Sequence, residues 1–196
     1  MGWNIRRSAK PNDRRFTLPD TIDTVKCLTG VKSFTFDAAA EPMSHHASSW
    51  CGPLGVIGED GCIGHDGFSV PWTGDVFCNP PWSQKYDWVE MAWHVWAHEH
   101  DFVRRYEQGV ATRTITMVLP ATVTTRTITM VLPATTDQAW WHQFVEPHRL
   151  LPVSDLRVWF LESRTQYGKP EDPTGATQGT PQFGSCILHW SRPTQS

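Results

Sequence analysis

An apolar strand that runs directly into Asn-Pro-Pro-Trp, and then into a long amphipathic helix, constrains this chain more than any other feature. The stretch is "GDVFCNPPWSQKYDWVEMAWHVWAHEHDFVRRYEQG", residues 74–109. Val76, Phe77 and Cys78 make a short apolar run of the kind found in a buried strand. Pro80 and Pro81 stop it, because proline has no N–H for a sheet ladder. Downstream, Trp88, Met91, Ala92, Val95 and Trp96 fall on one face at helical spacing. Ser83 suits the start of that helix and Gly109 its end. A strand feeding a helix is the building unit of an α/β domain.

The remaining segments extend that pattern. "TLPDTIDTVKCLTG" predicts a short helix, with Pro19 in its first turn and Gly30 past its end. "KSFTFDAAA" predicts a strand that reaches its edge at Asp37. Residues 41–73 hold three prolines and six glycines and are expected to be loop. "TRTITMVLPAT" occurs twice, at 112–122 and 125–135, with the β-branched content of a strand. Two copies are too few for a solenoid, so 112–137 reads as a tandem duplication of one strand. "DQAWWHQFVEP" predicts a second helix. Its adjacent Trp140 and Trp141 are expected not to share one core, because neighbouring helical positions point about 100° apart. "DLRVWFLE" and "GSCILHW" predict two final strands around a polar loop at 163–182. Strands alternating with helices, then two strands in succession, give an α/β domain with an antiparallel pair at its C-terminal end.

A chain of 196 residues suits one domain, over 16–196, after a basic and poorly ordered segment at 1–15. The net charge of −3 argues against a strong nonspecific nucleic-acid binder. That charge is uneven: Arg6, Arg7, Lys10, Arg14 and Arg15 face only Asp13 near the start. No run approaches the ~18 apolar residues of a membrane span, and "MGWNIRRSAKPNDRRF" lacks the apolar core of a secretory signal. Five cysteines at long spacings, with no CxxC, predict free thiols and a cytoplasmic setting. Cys51 and Cys62 with His45, His46 or His65 match no common zinc module, and His94 and His98 lack the HExxH context, so no metal is expected. Of the eleven tryptophans some are expected in the core, Trp88, Trp93 and Trp96 among them, and any left exposed would point to a stacking or partner surface.

The Asn-Pro-Pro-Trp segment has a specific chemical use. The Asn79 carboxamide oxygen and the Pro80 carbonyl can both accept hydrogen bonds from one amino group. Pro81 brings no competing N–H, and Trp82 can stack on the flat ring that bears the amine. Two acceptors aim the nitrogen lone pair at a methyl donor, so the gain is positioning and electrostatics.

This motif resembles the Asn/Asp/Ser-Pro-Pro-Tyr/Phe/Trp motif of amino-methyltransferases. "FTFDAAA", "DGFSVPWTGDVFCNPPWSQKYDWVEMA", "MVLPATTDQAWWHQFV" and "LRVWFLE…QFGSCILHW" follow one another in an order similar to the phage-type DNA N-6-adenine methyltransferase family. The resemblance runs from about Phe16 to Trp190. It implies a Rossmann-like methyltransferase sheet with helices on both faces, S-adenosylmethionine as methyl donor, and double-stranded DNA as partner in a bacterial or phage setting. Asn79, Pro80, Pro81 and Trp82 match the catalytic loop. Asp37 matches the acid after the first strand, with Ala38 beside it at the cofactor. Phe16 and Thr17 lie where the family has a Trp-x-Thr-Pro segment along the cofactor pocket. The chain departs from the family in carrying "DAAA" where larger methyltransferases have a glycine-rich loop, and in its second strand copy. For DNA, the target adenine must flip out of the duplex. Position and charge then nominate Arg6, Arg7, Arg14, Arg15, Lys85 and Lys169 for the backbone, with 41–73 and 163–182 as recognition loops. Two other readings stay open: an acceptor amine on cytosine, RNA or a protein glutamine, and a non-catalytic DNA-binding module on a decayed fold. The second strand copy is expected in the sheet over Thr127–Leu132, with 111–124 looped out or at an edge. A first copy in the sheet would instead drive thirteen extra residues out beside the site.

Overall fold

In the computed structural model, the described residues are 15–52, 60–64, 66–107, 125–152, 154–169, 172, 174 and 182–192. Side chains of the long helix are described as far as residue 97. The elements are β1 (Phe16–Thr17), α1 (Pro19–Thr29), β2 (Phe34–Asp37), β3 (Ala47–Cys51), β4 (Cys62–Gly64), β5 (Gly74–Cys78), α2 (Lys85–Glu107), β6 (Thr125–Pro133), α3 (Ala139–Phe144), α4 (Glu146–Arg149), β7 (Leu156–Phe160), β8 (Tyr167–Gly168) and β9 (Ser185–Ser191).

The first helix forms where proline and glycine bracket it. Pro19 opens α1, where its missing N–H costs nothing. Gly30 closes it in the left-handed region at φ 75°, with its N–H bonded to the Lys26 carbonyl. Two short elements differ from expectation. Ser83 does not cap α2; it sits in a 3-10 turn over Trp82–Gln84, started by the Gln84 N–H bonding the Pro81 carbonyl. The predicted "DQAWWHQFVEP" helix is broken into α3 and α4 at Val145. Pro147 explains the break, since it can neither donate to the carbonyl four residues back nor fit against it.

Seven strands form one mixed sheet in the order β4-β3-β2-β5-β6-β9-β7. All pairings from β4 to β6 are parallel, and β9 runs antiparallel to both β6 and β7. The expected antiparallel pair at the C-terminal end is therefore present. A separate two-stranded ribbon pairs β1 with β8. Two of the seven strands, β3 and β4, fall inside 41–73, which correct the expectation of loop there. "ASSWC" reads weakly as a strand because Ser49 and Ser48 dilute its apolar pattern, yet Ala47, Trp50 and Cys51 are buried against the parallel edge.

The slot between β5 and β9 is filled by the second copy of the repeat, as expected. The first copy lies outside the described residues. Ile128, Met130, Val131 and Leu132 are fully buried. Alternate residues sort to opposite faces, as strand geometry requires. Val76, Cys78, Ile128, Met130, Leu132, Leu188 and Trp190 pack with residues of α2 and α3. Phe77, Val131 and Ile187 pack with Ile22 and Val25 of α1. Helices thus cover both faces.

The tryptophans are mostly core. Trp88, Trp96, Trp140 and Trp141 are each no more than 5% exposed. Trp140 and Trp141 do share one core, contrary to expectation. The short α3 is flanked on two sides, so both directions about 100° apart are interior. Their rings meet edge to face at 5.6 Å, and Trp141 also packs on Phe160. Trp140 Nε1 donates to Thr135 and Trp141 Nε1 to Glu146, so neither burial strands a polar group. Among the described residues no helix is long and apolar enough to cross a membrane.

Candidate active site

The chain enters the sheet at its centre. It leaves β2 toward β3 and β4 on one side, then crosses back to β5 and β6 on the other. The strand order therefore reverses between β2 and β5. In open α/β sheets, ligands bind outside the C-terminal strand ends at such a reversal. Asp37 ends β2, and Asn79 follows the last residue of β5. The register pairs Asp37 with Phe77, two residues before Asn79.

The segment after β2 straddles the reversal. Ala38 N–H bonds the Phe77 carbonyl on one side, and Ala40 N–H bonds the Cys51 carbonyl on the other. Small side chains suit this path. Ala38 is 1% exposed and packs into the core with Trp88, while Ala39 faces the pocket. The wall residue is thus Ala39 where Ala38 was expected. Gly67 supports the turn from behind: a Cβ there would lie 2.3 Å from the Ala38 carbonyl oxygen.

Asp37 is 1% exposed. Its two carboxylate oxygens accept the backbone N–H groups of Ala39 (3.3 Å) and His46 (3.1 Å). Burial pushes its pKa up to about 7, and those two hydrogen bonds only partly oppose the rise. His46 is held down at about 4, chiefly by burial. Its ring meets Phe77 edge-on at 5.2 Å, and its Nε2 lies 3.3 Å from the Ser44 hydroxyl.

A small pocket joins these groups. Arg15, Phe16, Thr17, Asp37, Asn79 and His46 are among its walls. Phe16 and Thr17 are held there by pairing of β1 with β8. Eight buried side-chain nitrogen or oxygen atoms lack a hydrogen-bond partner among the described residues; four of them belong to residues that line this pocket and a fifth to Trp82, three residues past Asn79. These five are Asn79 Oδ1 and Nδ2, Thr17 Oγ1, Trp82 Nε1 and one terminal nitrogen of Arg15. Such atoms are uncommon in native interiors and call for a partner. Trp82 stands edge-on to Tyr167 at 5.1 Å, and the Arg15 guanidinium lies over its ring at 5.4 Å. Pro80 is buried, and Pro81 is half-buried. The pocket is closed tight, with no room for a water-sized molecule, well below the ~300–1,000 Å³ of typical ligand pockets.

A larger open cleft, about 470 Å³, lies at the opposite end of the sheet between Thr29–Ser33 and the starts of β5 and β6. Its central polar groups are paired. Asp75 accepts from Arg126 at 2.6 Å and from Thr127 at 2.9 Å, and His189 pairs with Thr129 at 2.9 Å. Size alone favours this cleft; chemistry favours the smaller pocket, which holds the unpartnered atoms.

The structure thus brings together Asn79, Pro80, Pro81, Trp82, Asp37, Phe16, Thr17 and Arg15. Lys85 is close, donating to the Trp82 carbonyl at 3.2 Å. Lys169 stands just beyond β8, where its backbone pairs with Asp172. Arg6, Arg7 and Arg14 lie outside the described residues, as do 53–59 and 175–181 within the two proposed recognition loops. Sequence reasoning weighed His46 only as a metal ligand and missed Ser44, Glu41 and Tyr167. The first three follow closely on "DAAA" and were signalled only by that proximity; Tyr167 stands in a polar loop that gave no signal. Among the described residues no group of three or more His, Cys, Asp or Glu is placed to hold a metal. No protein-family model matches the chain, and no curated protein matches it.

Proposed function

We propose that this chain is an S-adenosylmethionine-dependent methyltransferase on a Rossmann-like sheet, acting on the exocyclic amino group of adenine in DNA. The observation that carries the reading is the buried Asn79 carboxamide, 5% exposed, with neither polar atom partnered, at the end of a central strand beside the order reversal. An amide left so is costly by ~1–3 kcal/mol. A ligand amine and ring nitrogen would satisfy both of its atoms.

The side chains present fit the proposed methyl donor in their chemistry. Asp37 and Ala39 form the wall at the reversal, with Phe16 and Thr17 across from them. Asp37 keeps acceptor capacity beyond its two backbone bonds, which suits hydroxyl or amine groups of a nucleoside. The bound donor would supply an electrophilic methyl group. Asn79 Oδ1 and the Pro80 carbonyl would hold the acceptor amine by its two hydrogens. Trp82 would support the base by stacking, and Pro81 keeps the loop free of a competing N–H. The pocket is smaller than a nucleoside needs, so binding requires its outer wall to move. That wall includes Arg15, whose guanidinium lies over the Trp82 ring.

Isothermal titration with S-adenosylmethionine, using Asp37→Ala as control, tests the reading. Micromolar binding lost in the variant supports it. A folded wild-type protein that binds no cofactor shifts the reading to a non-catalytic module on the same sheet.

A further inference from the structure

Position and charge nominate Arg15 as one of several contacts to the DNA backbone. Its surroundings differ from that role. It stands immediately before β1, on the wall that also carries Thr17 and Asn79. Its guanidinium lies over the Trp82 ring, 5.4 Å from the centroid. One terminal nitrogen is buried with no hydrogen-bond partner among the described residues. A desolvated guanidinium nitrogen without an acceptor is unfavourable, and a ring face replaces only part of what water supplied. Thr17 Oγ1, two residues along the same wall, is buried and unpartnered as well. A cationic fork and a hydroxyl together are the donors that recognise a planar or tetrahedral oxyanion.

We infer that Arg15 and Thr17 form an oxyanion subsite within the Asn79 pocket, for a carboxylate or phosphate carried by the ligand. The inference rests on the functional reading above for the pocket's ligand class, and its test separates the two. Both sources are chemically available. S-adenosylmethionine ends in an amino-acid carboxylate, and a flipped nucleotide brings its own phosphate. Binding would draw the guanidinium from the Trp82 ring toward the oxyanion. That movement would free the ring face for the base, so the same side chain would couple anion binding to stacking.

The test uses the full chain and its Arg15→Gln variant. Thermal midpoints are followed against inorganic phosphate at constant ionic strength. Ligand binding only to the folded state raises the midpoint. The wild type is expected to gain stability with phosphate and Arg15→Gln to gain none. Titration with S-adenosylmethionine, with its decarboxylated analogue and with a short duplex then identifies the source. If the oxyanion is the carboxylate, Arg15→Gln weakens S-adenosylmethionine about 10- to 100-fold and leaves the analogue unchanged. If it is the phosphate, the variant weakens duplex binding instead and lowers the salt slope by about one. Either result supports the subsite. Equal phosphate response and equal ligand affinities in the two proteins overturn it, while cofactor binding by both keeps the methyltransferase reading intact. A phosphate response lost in Arg15→Gln, in a wild type that binds no cofactor, supports the subsite and overturns the methyl-donor reading.

Discussion

Asp37→Asn should separate what the site costs the fold from what it does for binding. Asp37 is buried at the reversal of strand order, and its pKa rises from 3.8 to about 7. That difference corresponds to about 4 kcal/mol at most. Between pH 4 and 7 the folded state holds a proton that the unfolded state has released. The Asp37 contribution to stability is therefore fully present below pH 4, falls as pH rises, and is lost above about pH 7. An amide cannot ionise, so the variant escapes this cost at pH 8. It also has one acceptor where the carboxylate has two, which leaves the N–H of Ala39 or His46 unpaired at about 1–3 kcal/mol. The net expectation is a variant about 1–3 kcal/mol more stable than wild type at pH 8, with no advantage at pH 4. Urea unfolding at pH 4, 6 and 8, with linear extrapolation, measures the difference. The histidines titrate in both proteins and cancel in the comparison. A stability difference that does not change with pH would refute the reasoning. Cofactor affinity should fall in the same variant, so stability and binding should move in opposite directions at pH 8.

Other consequences are independent of that one. Asn79→Ala removes a buried, unpartnered carboxamide and should leave the thermal midpoint within a few degrees of wild type, while methyl transfer falls by at least ~10²-fold; comparable losses in stability and activity would make Asn79 a structural residue. His46 and His189 are both held at about 4 by burial. Their contribution is present above about pH 6.5 and is lost as pH falls through 4; His189→Phe should flatten part of that acid slope in urea unfolding, and an unchanged slope would contradict its burial as a neutral ring. Gly67→Ala should destabilise by about 1–3 kcal/mol, because its Cβ would press on the Ala38 carbonyl, and cofactor titration should weaken with it. Deleting 112–124 leaves every pairing of β6 untouched, so circular dichroism and the thermal midpoint should be preserved; an unfolded deletion protein would show that β6 does not suffice on its own.

Legibility in the sequence varied with the kind of signal. The β5–α2 unit was readable because apolar periodicity changes sharply at two prolines. The ends of α1 were readable because proline and glycine have distinct backbone preferences at helix termini. Asp37 and Asn79 were readable as candidates because each follows a short apolar strand; their adjacency required the sheet order. β3 and β4 were missed because glycine- and serine-rich strands at a parallel edge carry little β-branched signal. The shared burial of Trp140 and Trp141 was missed because residue spacing gives directions about one helix axis, not how many sides of that helix are covered. The meeting of four unpartnered polar atoms at the Asn79 pocket depends on side chains more than sixty residues apart, Arg15 and Asn79 among them. No local pattern encodes it.

The most direct test of the functional claim is to incubate unmethylated duplex DNA with S-adenosylmethionine and the full chain, digest it to nucleosides, and quantify methylated bases by mass spectrometry, with Asn79→Ala in parallel. The account predicts N6-methyldeoxyadenosine with the wild type and none with the variant. A folded wild-type protein that yields no methylated adenine, or that methylates cytosine instead, would contradict it.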